Sequence, residues 1–471
     1  MIRKHIIGVV ASLLMCAGLQ AQQTLTLDSC LQMALRSNLE KKSAEVQAEQ
    51  YRHTQKAYLA NFFPNISGRV LDAYNFDGKQ TIGLDLMSFV PANLQEAFAP
   101  YTQQMQEILM QTLTPEQLQA LASLDPTIGI DYKIGNVFNA SVTIEQPIYM
   151  GGKITAAYKM SKLGAQMAQV NKRLTTDQVI LNTNEAYALL LEATQMHEVA
   201  LQYDSLLQQL MNDVTAAERH GLGSHNDVLT VQVKKSEAEL QVRQAQNAIL
   251  LAQMNLCRLI GLPLTEHPRV EPIEPKLIGT HADADLTGRP EYTILELKSQ
   301  MSAQQVKLTR SDFLPQLGLL FDYGYTHCLT VVDQYLFNKP SATLLLNLTV
   351  PLYHANEGYH KVKAAKLEHE RNLLEQKDLI EQMKLEVQQT ANLLDESILE
   401  LALTTKNLEQ AQENLKASRK SYEVGLESLS DHLMAQTLWQ DAYAKKVIAQ
   451  AQVIVNIVKH QKASGTLGLA I

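Results

Sequence analysis

The chain contains two copies of one structural unit. Segments that begin at Gly221 and Gly425 share the pattern G-L-x-S-x-x-D-x-L at an offset of 204 residues. The shared residues are Gly221, Leu222, Ser224, Asp227 and Leu229 in the first copy, and Gly425, Leu426, Ser428, Asp431 and Leu433 in the second. Upstream, the offset becomes 251 and pairs Pro64 with Pro315, so the first copy holds 47 extra residues. A repeat of this size indicates two equivalent pieces of one architecture.

A secretory signal is predicted at the N-terminus. Arg3 and Lys4 precede an apolar run that reaches Leu19, and a small residue follows at the expected cleavage point. Residues 1–21 are therefore interpreted as a signal peptide and not as a membrane anchor. Lipidation of Cys16 is not expected, because a bulky methionine precedes it where the lipidation signal needs a small residue.

Charge and cysteine content argue against several classes of function. The 41 Lys and Arg against 49 Asp and Glu give a net charge of −8, which becomes −10 when the two basic residues of the signal are removed. Without a basic patch, no nucleic-acid partner is expected. The cysteines are far apart and lack C-x-x-C spacing, so neither a disulfide framework nor a zinc site is indicated. No long apolar run follows the signal, so any membrane contact must come from strands or an amphipathic surface.

Long helices dominate both copies. Residues 153–219 and 357–422 contain no proline and almost no glycine, which predicts two helices of roughly 100 Å each. Shorter helices are expected on either side, at about 31–60, 226–260, 291–312 and 430–462. Within 226–260, apolar residues recur at alternating spacings of three and four from Val228 to Leu259, as in a coiled-coil seam.

The duplicated motif lies where each long helix ends. Its glycine suits a left-handed helix C-cap, and Ser224 and Ser428 suit the N-cap of the helix that follows. Asn226 and Ser430 are alternative N-caps. The motif therefore predicts a tight hairpin tip. A single copy would favour a plain helix-helix turn, whereas two copies with the same Asp and Leu favour a shared contact surface.

Four segments of about ten residues alternate apolar and polar side chains. They lie near 66–76, 138–148, 317–325 and 344–352. Transmembrane β-strands have this length and pattern, although half-buried soluble strands alternate as well. Four strands are too few to close a barrel, and open edges are not tolerated in lipid. If the strands span a bilayer, the chain must oligomerise, and three copies with twelve strands are the simplest even-numbered solution.

Taken together, these features resemble the TolC-like outer membrane efflux proteins. The resemblance rests on the signal peptide, the two copies of helix, strand, strand, long helix and short helix, the paired tips, and the R-P-E sequence at residues 289–291, whose less complete counterpart is residues 38–40. Prolines mark the strand ends in both copies: Pro64, Pro147, Pro315 and Pro351.

The resemblance implies an α+β membrane protein that forms a homotrimer. Each chain would contribute four strands to a shared twelve-stranded outer-membrane β-barrel, which continues into a long periplasmic α-helical coiled-coil barrel. A periplasmic adaptor and an inner-membrane pump would dock at the tips, and outer-membrane lipid would surround the strands. The resemblance also places the periplasmic gate at Asp431. Well-studied members have a second aspartate three residues later, whereas Met434 stands there in this chain, so a single acidic ring is expected.

No catalytic or metal-binding set emerges. Three histidines lie near the tips, namely His220, His225 and His432, but their spacing is not that of a compact metal site, and solvated side chains are expected. Residues 151–153 lack the flanking residues of a phosphate loop and are interpreted as a strand-to-helix turn. Neither an enzyme activity nor a cofactor is predicted.

The expected organisation has five parts. They are the signal peptide 1–21, the first repeat 22–260, an extended linker 261–288, the second repeat 289–462 and a tail 463–471. The 47-residue excess falls at about 77–125 and is expected to form an extracellular loop with two short amphipathic helices. The favoured function is a passive outer-membrane export duct. A secreted coiled-coil scaffold without a channel is the alternative, and a periplasmic enzyme with an unrecognised site is a weaker third hypothesis.

Overall fold

The computed structural model describes most of the chain and divides it into two compact units. The described residues are 24–74, 80–85, 114, 127–133, 136–273, 286–327, 330–331, 334–335 and 338–467. Unit 1 comprises Met1–Lys56, Tyr158–Val306 and Val362–Ile471, and unit 2 comprises Ala57–Ala157 and Lys307–Lys361. The expected signal peptide, and the amphipathic helices expected within 77–125, lie outside the described residues.

Seven α-helices occur in the described part of the chain. They are α1 (Leu27–Ser37), α2 (Leu39–Ala60), α3 (Lys153–Arg219), α4 (His225–Ile260), α5 (Pro290–Ser311), α6 (Glu357–Glu423) and α7 (Leu429–Ala463). The two long helices predicted from the sequence are confirmed as α3 and α6, each of 67 residues. None of the described helices has an apolar stretch long enough to cross a membrane.

The prediction of one helix over residues 31–60 is wrong, because the chain breaks at Asn38. This residue leaves the helical region with φ −59° and ψ 129°. Its side-chain oxygen accepts hydrogen bonds from the backbone N–H groups of Glu40 and Lys41, at 2.9 and 3.3 Å. Its amide nitrogen donates to the carbonyl of Leu259 at 3.3 Å. Asn38 therefore ends α1, caps α2 and attaches the junction to the end of α4.

The helical core of unit 1 is built on α1, α3, α4, α6 and α7. The seam predicted on α4 is confirmed, since its members are buried or half-buried. Tyr187 of α3 is fully buried. Its hydroxyl lies 3.0 Å from the carbonyl oxygen of Leu25 and 2.8 Å from that of Glu271. These contacts fix the short parallel pair of β1 (Thr24–Leu25) and β6 (Arg269–Val270) against the helices.

Unit 2 contains a four-stranded antiparallel sheet. Its strands are β2 (Asn65–Tyr74), β5 (Asn136–Met150), β7 (Gln316–His327) and β10 (Asn338–Thr349), in the order β10-β7-β5-β2. Each copy of the repeat supplies one hairpin pair, and the two pairs join through β5 and β7. The four predicted strands are thus confirmed, and β2 and β10 are the outer strands of this sheet.

The pairing register separates one apolar face from one polar face. Residues that pair across neighbouring strands point to the same side of a sheet. One row across all four strands is Leu344, Phe321, Ile144 and Ile66, and the adjacent row is Thr343, Asp322, Thr143 and Ser67. On the polar side, the Thr143 hydroxyl donates to the Asp322 carboxylate at 2.7 Å. The apolar side is open in a single chain, where Ile66 and Leu344 are each 67% exposed.

A second, smaller sheet was not predicted from the sequence. It contains β3 (Gln80–Asp85), β4 (Thr127–Lys133), β8 (Thr330–Val331) and β9 (Gln334–Tyr335), in the order β3-β4-β8-β9. Strand β3 lies inside the segment 77–125, for which no strand was predicted. The two short helices expected further along this segment lie outside the described residues. The strands of this sheet have two to seven residues, which is too short for period-two alternation to stand out.

The contact between β5 and β7 predicts that Gly324 is sensitive to substitution. A Cβ at this position would lie 2.6 Å from the Ser141 Cβ and 3.0 Å from the Ala140 carbonyl oxygen. Gly324→Val should force the two strands apart and cost about 1–3 kcal/mol. Gly318→Val is the matched control on the same strand, because a Cβ there meets nothing within 4 Å. Thermal unfolding of the detergent-solubilised protein measures the difference, and equal stability of the two variants would contradict this role of the β5-β7 contact.

Candidate functional site: the two hairpin tips

The two copies of the motif form two hairpin tips with the same helix ending. The first tip comprises residues 213–229, and the second tip comprises residues 417–433. Gly221 and Gly425 have φ of +72° and +76°, in the left-handed region that glycine adopts without strain. In the first tip, the Leu222 N–H donates to the Ala217 carbonyl and the Gly221 N–H to the Glu218 carbonyl, both at 2.9 Å. The second tip makes the same pair of bonds at 2.8 and 3.0 Å, so both helices end in the glycine cap that the sequence predicts.

The serines and aspartates of the motif cap the helices that follow. Ser224 and Ser428 accept hydrogen bonds from the backbone N–H groups of Asp227 and Asp431, at 3.1 and 3.2 Å. The Asp227 carboxylate accepts from the Ser224 backbone N–H at 3.0 Å, and the Asp431 carboxylate accepts from the Ser428 hydroxyl at 2.7 Å. The alternative N-caps lie inside the helices: Asn226 and Ser430. Capping alone is thus a sufficient local reason for an aspartate in each tip.

The leucines of the motif differ in exposure. Leu222 and Leu426, which follow the glycines, are 86% and 84% exposed. Leu433 is buried, whereas its counterpart Leu229 is exposed. Each tip therefore presents an exposed leucine directly after its glycine, on a turn that hydrogen bonds fix from both sides. A fixed, exposed leucine is a group that a partner can contact without first having to order it.

The histidines near the tips have unlike surroundings. His220 and His225 are exposed, and the His225 Nδ1 lies 2.7 Å from the Glu218 carboxylate. His432 is buried, with 5% of its surface exposed, so the expectation of a solvated side chain is wrong for this residue. In the part of the chain that the structure describes, no group of three or more His, Cys, Asp or Glu residues is arranged to hold a metal ion.

Sequence reasoning missed the contacts of His432. Its ring stacks on Tyr422 with centroids 5.1 Å apart and an interplanar angle of 6°. The Ser418 hydroxyl lies 3.0 Å from Nδ1, and the Gln436 amide nitrogen lies 3.0 Å from Nε2. The Ser418 hydroxyl also donates to the Glu427 carboxylate at 2.8 Å. These five residues are named the His432 cluster.

A comparison of the two copies reveals the signal that was missed. At the offset of 204, the first copy has Val214 and Val228 where the second has Ser418 and His432. Both valines belong to an apolar cluster that Leu207 and Trp439 share. A polar pair in place of an apolar pair at buried, equivalent positions indicates that the second tip is built differently. A cavity of about 250 Å³ beside His432, lined in part by Asp213, Arg419 and Glu423, adds to the difference.

Known proteins resemble this chain in sequence. Residues 286–466 match the family described as outer membrane efflux protein. The alkaline protease secretion protein AprF of Pseudomonas aeruginosa is 24% identical over 308 residues, which span 63% of this chain and 63% of that relative. Protein CyaE of Bordetella pertussis is 23% identical over 371 residues, or 72% of this chain and 73% of that relative. The chain thus spans somewhat under two thirds of the first relative and more of the second.

Solved structures share the fold. The CmeC outer membrane channel of Campylobacter jejuni superposes with a TM-score of 0.75 at 16% identity, over 94% of this chain and 86% of that one. The outer membrane protein VceC of Vibrio cholerae superposes with a TM-score of 0.71 at 14% identity, over 93% and 96%. Both copies of the repeat lie within this shared fold. Residues 286–466 thus match the outer membrane efflux protein family, and the chain shares the helix-rich α+β fold of these solved outer membrane proteins.

Proposed function

We propose that this chain is the outer-membrane exit duct of a tripartite efflux or secretion system. In this role, it passively conducts substrates that an inner-membrane pump and a periplasmic adaptor deliver. The observation that carries the proposal is the four-stranded sheet, with one apolar face open to the surroundings and one polar face.

The two faces of the sheet are those expected of strands that contact lipid on one side and water on the other. The row of Leu344, Phe321, Ile144 and Ile66 would face the acyl chains, and the row of Thr343, Asp322, Thr143 and Ser67 would line an aqueous path. A secreted coiled-coil scaffold, the alternative function, leaves the apolar row without a role. It would also leave a large exposed apolar patch in water, which soluble monomers rarely carry.

The sheet needs further strands to cross a bilayer. Strands β2 and β10 are its outer strands, and unpaired backbone groups are not tolerated in hydrocarbon. If β10 of one chain pairs with β2 of the next, every edge is satisfied once the ring closes. Three copies supply twelve strands, which lies within the range of known membrane barrels. The proposed assembly is therefore a homotrimer in the outer membrane, with the long helices in the periplasm.

The tips are proposed to dock the adaptor through the exposed leucines. Replacing both Gly221 and Gly425 by valine should distort the tips, because a β-branched residue at positive φ costs roughly 1–2 kcal/mol or more. A Cβ at either position meets nothing within 4 Å, so the effect comes from the backbone and not from a clash. We expect the trimer to assemble while export is lost.

The matched control replaces both glycines by asparagine, which tolerates the left-handed conformation far better. Export is measured as accumulation of a pump substrate in cells, and trimer assembly as mobility in a gel before and after heating. The asparagine variant should export normally. Normal export by the valine variant would show that the tips do not dock the adaptor.

Asp431 is proposed as the acidic ring of the periplasmic gate. Repeated around a symmetric entrance, its carboxylate should make the closed channel cation-selective and sensitive to block by multivalent cations. Asp431→Asn should weaken both properties in planar bilayers. Asp227→Asn is the control, because Asp227 has the same capping role in the first tip. If the two variants behave alike, the effect comes from lost capping and the gate lies elsewhere.

The segment 77–125 is proposed to be extracellular. One end of the segment connects to strand β2 and the other connects through β4 to strand β5. The opposite ends of β2 and β5 lead into helices, so the segment and the helices would fall on opposite sides of a membrane. An epitope inserted near residue 100 should bind antibody on intact cells. The same epitope placed after residue 471 should bind only after permeabilisation. Equal labelling of the two sites on intact cells would contradict the proposed topology.

A further inference from the structure

The hydrogen bonds of the His432 cluster form a chain with one direction. The Gln436 amide nitrogen is a donor, so His432 Nε2 accepts from it. The proton of a neutral imidazole then resides on Nδ1 and is donated to the Ser418 oxygen. The Ser418 hydroxyl donates in turn to the Glu427 carboxylate. These hydrogen bonds connect α6, the turn of the second tip and α7. All of them can form when the His432 ring is neutral.

Protonation would place two donors against each other at Nε2. Turning the Gln436 amide would present its Oε1 to the ring, but Oε1 now occupies a buried position where it has no hydrogen-bond partner among the described residues. The amide NH2 group would then take that buried position, where an unpaired donor would replace the unpaired acceptor. The second tip therefore cannot hold a charged His432 without rearrangement.

Charged groups around the ring act in both directions. Burial, the largest cause, lowers the pKa of His432 below its ordinary value. The Glu427 carboxylate raises the pKa and the Arg419 guanidinium lowers it. The carboxylates of Glu423 and Asp213 raise the pKa more weakly. Glu427 lies in the turn, Arg419 and Glu423 on α6, and Asp213 on α3. On balance the pKa of His432 is lowered, so the ring binds a proton less readily in the closed tip than when it is exposed to solvent.

We propose that His432 is a proton-sensitive latch, whose neutral ring holds the second tip closed and whose protonation releases it. The cavity beside the ring gives water, and hence protons, a route to it. The stabilisation that the lowered pKa represents is complete above the ordinary pKa of histidine, about 6.5, and is lost as the pH falls below it. The first tip has Val214 and Val228 at the equivalent positions, so it lacks this buried titratable ring.

Hydrogen exchange of the full-length protein in detergent tests the latch without reference to transport. Protection is measured at about pH 7.5 and about pH 5.5, on either side of the ordinary histidine pKa, for residues 417–432 and for the equivalent residues 213–228. The first tip corrects for the intrinsic effect of pH on exchange. The protection ratio of second to first tip should fall on acidification by up to about tenfold, because pH 5.5 lies about one unit below the ordinary histidine pKa.

Two variants remove the titrating ring. The double replacement His432→Val with Ser418→Val copies the valine pair that the first tip already contains, and His432→Gln keeps a neutral polar side chain if that pair packs poorly in the second tip. In both variants, the ratio should be independent of pH. A constant ratio in the wild type, or an acid response that either variant retains, would overturn the proposal.

Channel conductance then connects the latch to the proposed function, on which this last step rests. If the second tip is part of the gate, the open probability in planar bilayers should rise on acidification in the wild type and not in the His432→Gln variant. If exchange responds to acid and conductance does not, the latch stands and the assignment of the gate to the second tip fails.

Discussion

The open edges of one small sheet constrain the rest of the molecule. The four strands of unit 2 expose an apolar row on one side and carry unpaired backbone groups along β2 and β10. Exposure of the apolar row to water is unfavourable, and unpaired backbone groups at the edges are unfavourable in lipid. Closure of the sheet by identical neighbours satisfies both requirements at once. Oligomerisation is therefore a condition for the strands to reside in a membrane at all.

The duplication explains how one chain can present two similar surfaces that behave differently. Both tips use the same glycine cap, the same serine cap and the same exposed leucine, which fixes their backbone in one form. Beneath that common surface, one tip is closed by Val214 and Val228 and the other by Ser418 and His432. The two tips thus share one backbone form, whereas the side chains beneath it differ.

Much of the fold was predictable from the sequence, because the strongest signals are long. Helices α3 and α6 lack proline over 67 residues. The four strands of the larger sheet, which have 10 to 15 residues, alternate over much of their length. The break at Asn38 was missed, because this side chain combines local caps of Glu40 and Lys41 with a hydrogen bond to Leu259, more than two hundred residues away. The short strands β3 and β4 were also missed, since only pairing with each other and with β8 defines them. In the tips, the capping residues followed from the motif, whereas burial of His432 depends on Tyr422 and Gln436, which the motif does not include.

The most direct test of the oligomeric duct is the mass of the particle extracted from the outer-membrane fraction in mild detergent, measured before and after heating. Closure of the sheet by neighbouring chains predicts a particle of three chains in that fraction, which resists mild detergent and dissociates to single chains on heating. A monomer recovered from the soluble periplasmic or secreted fraction would contradict the duct and would favour the coiled-coil scaffold.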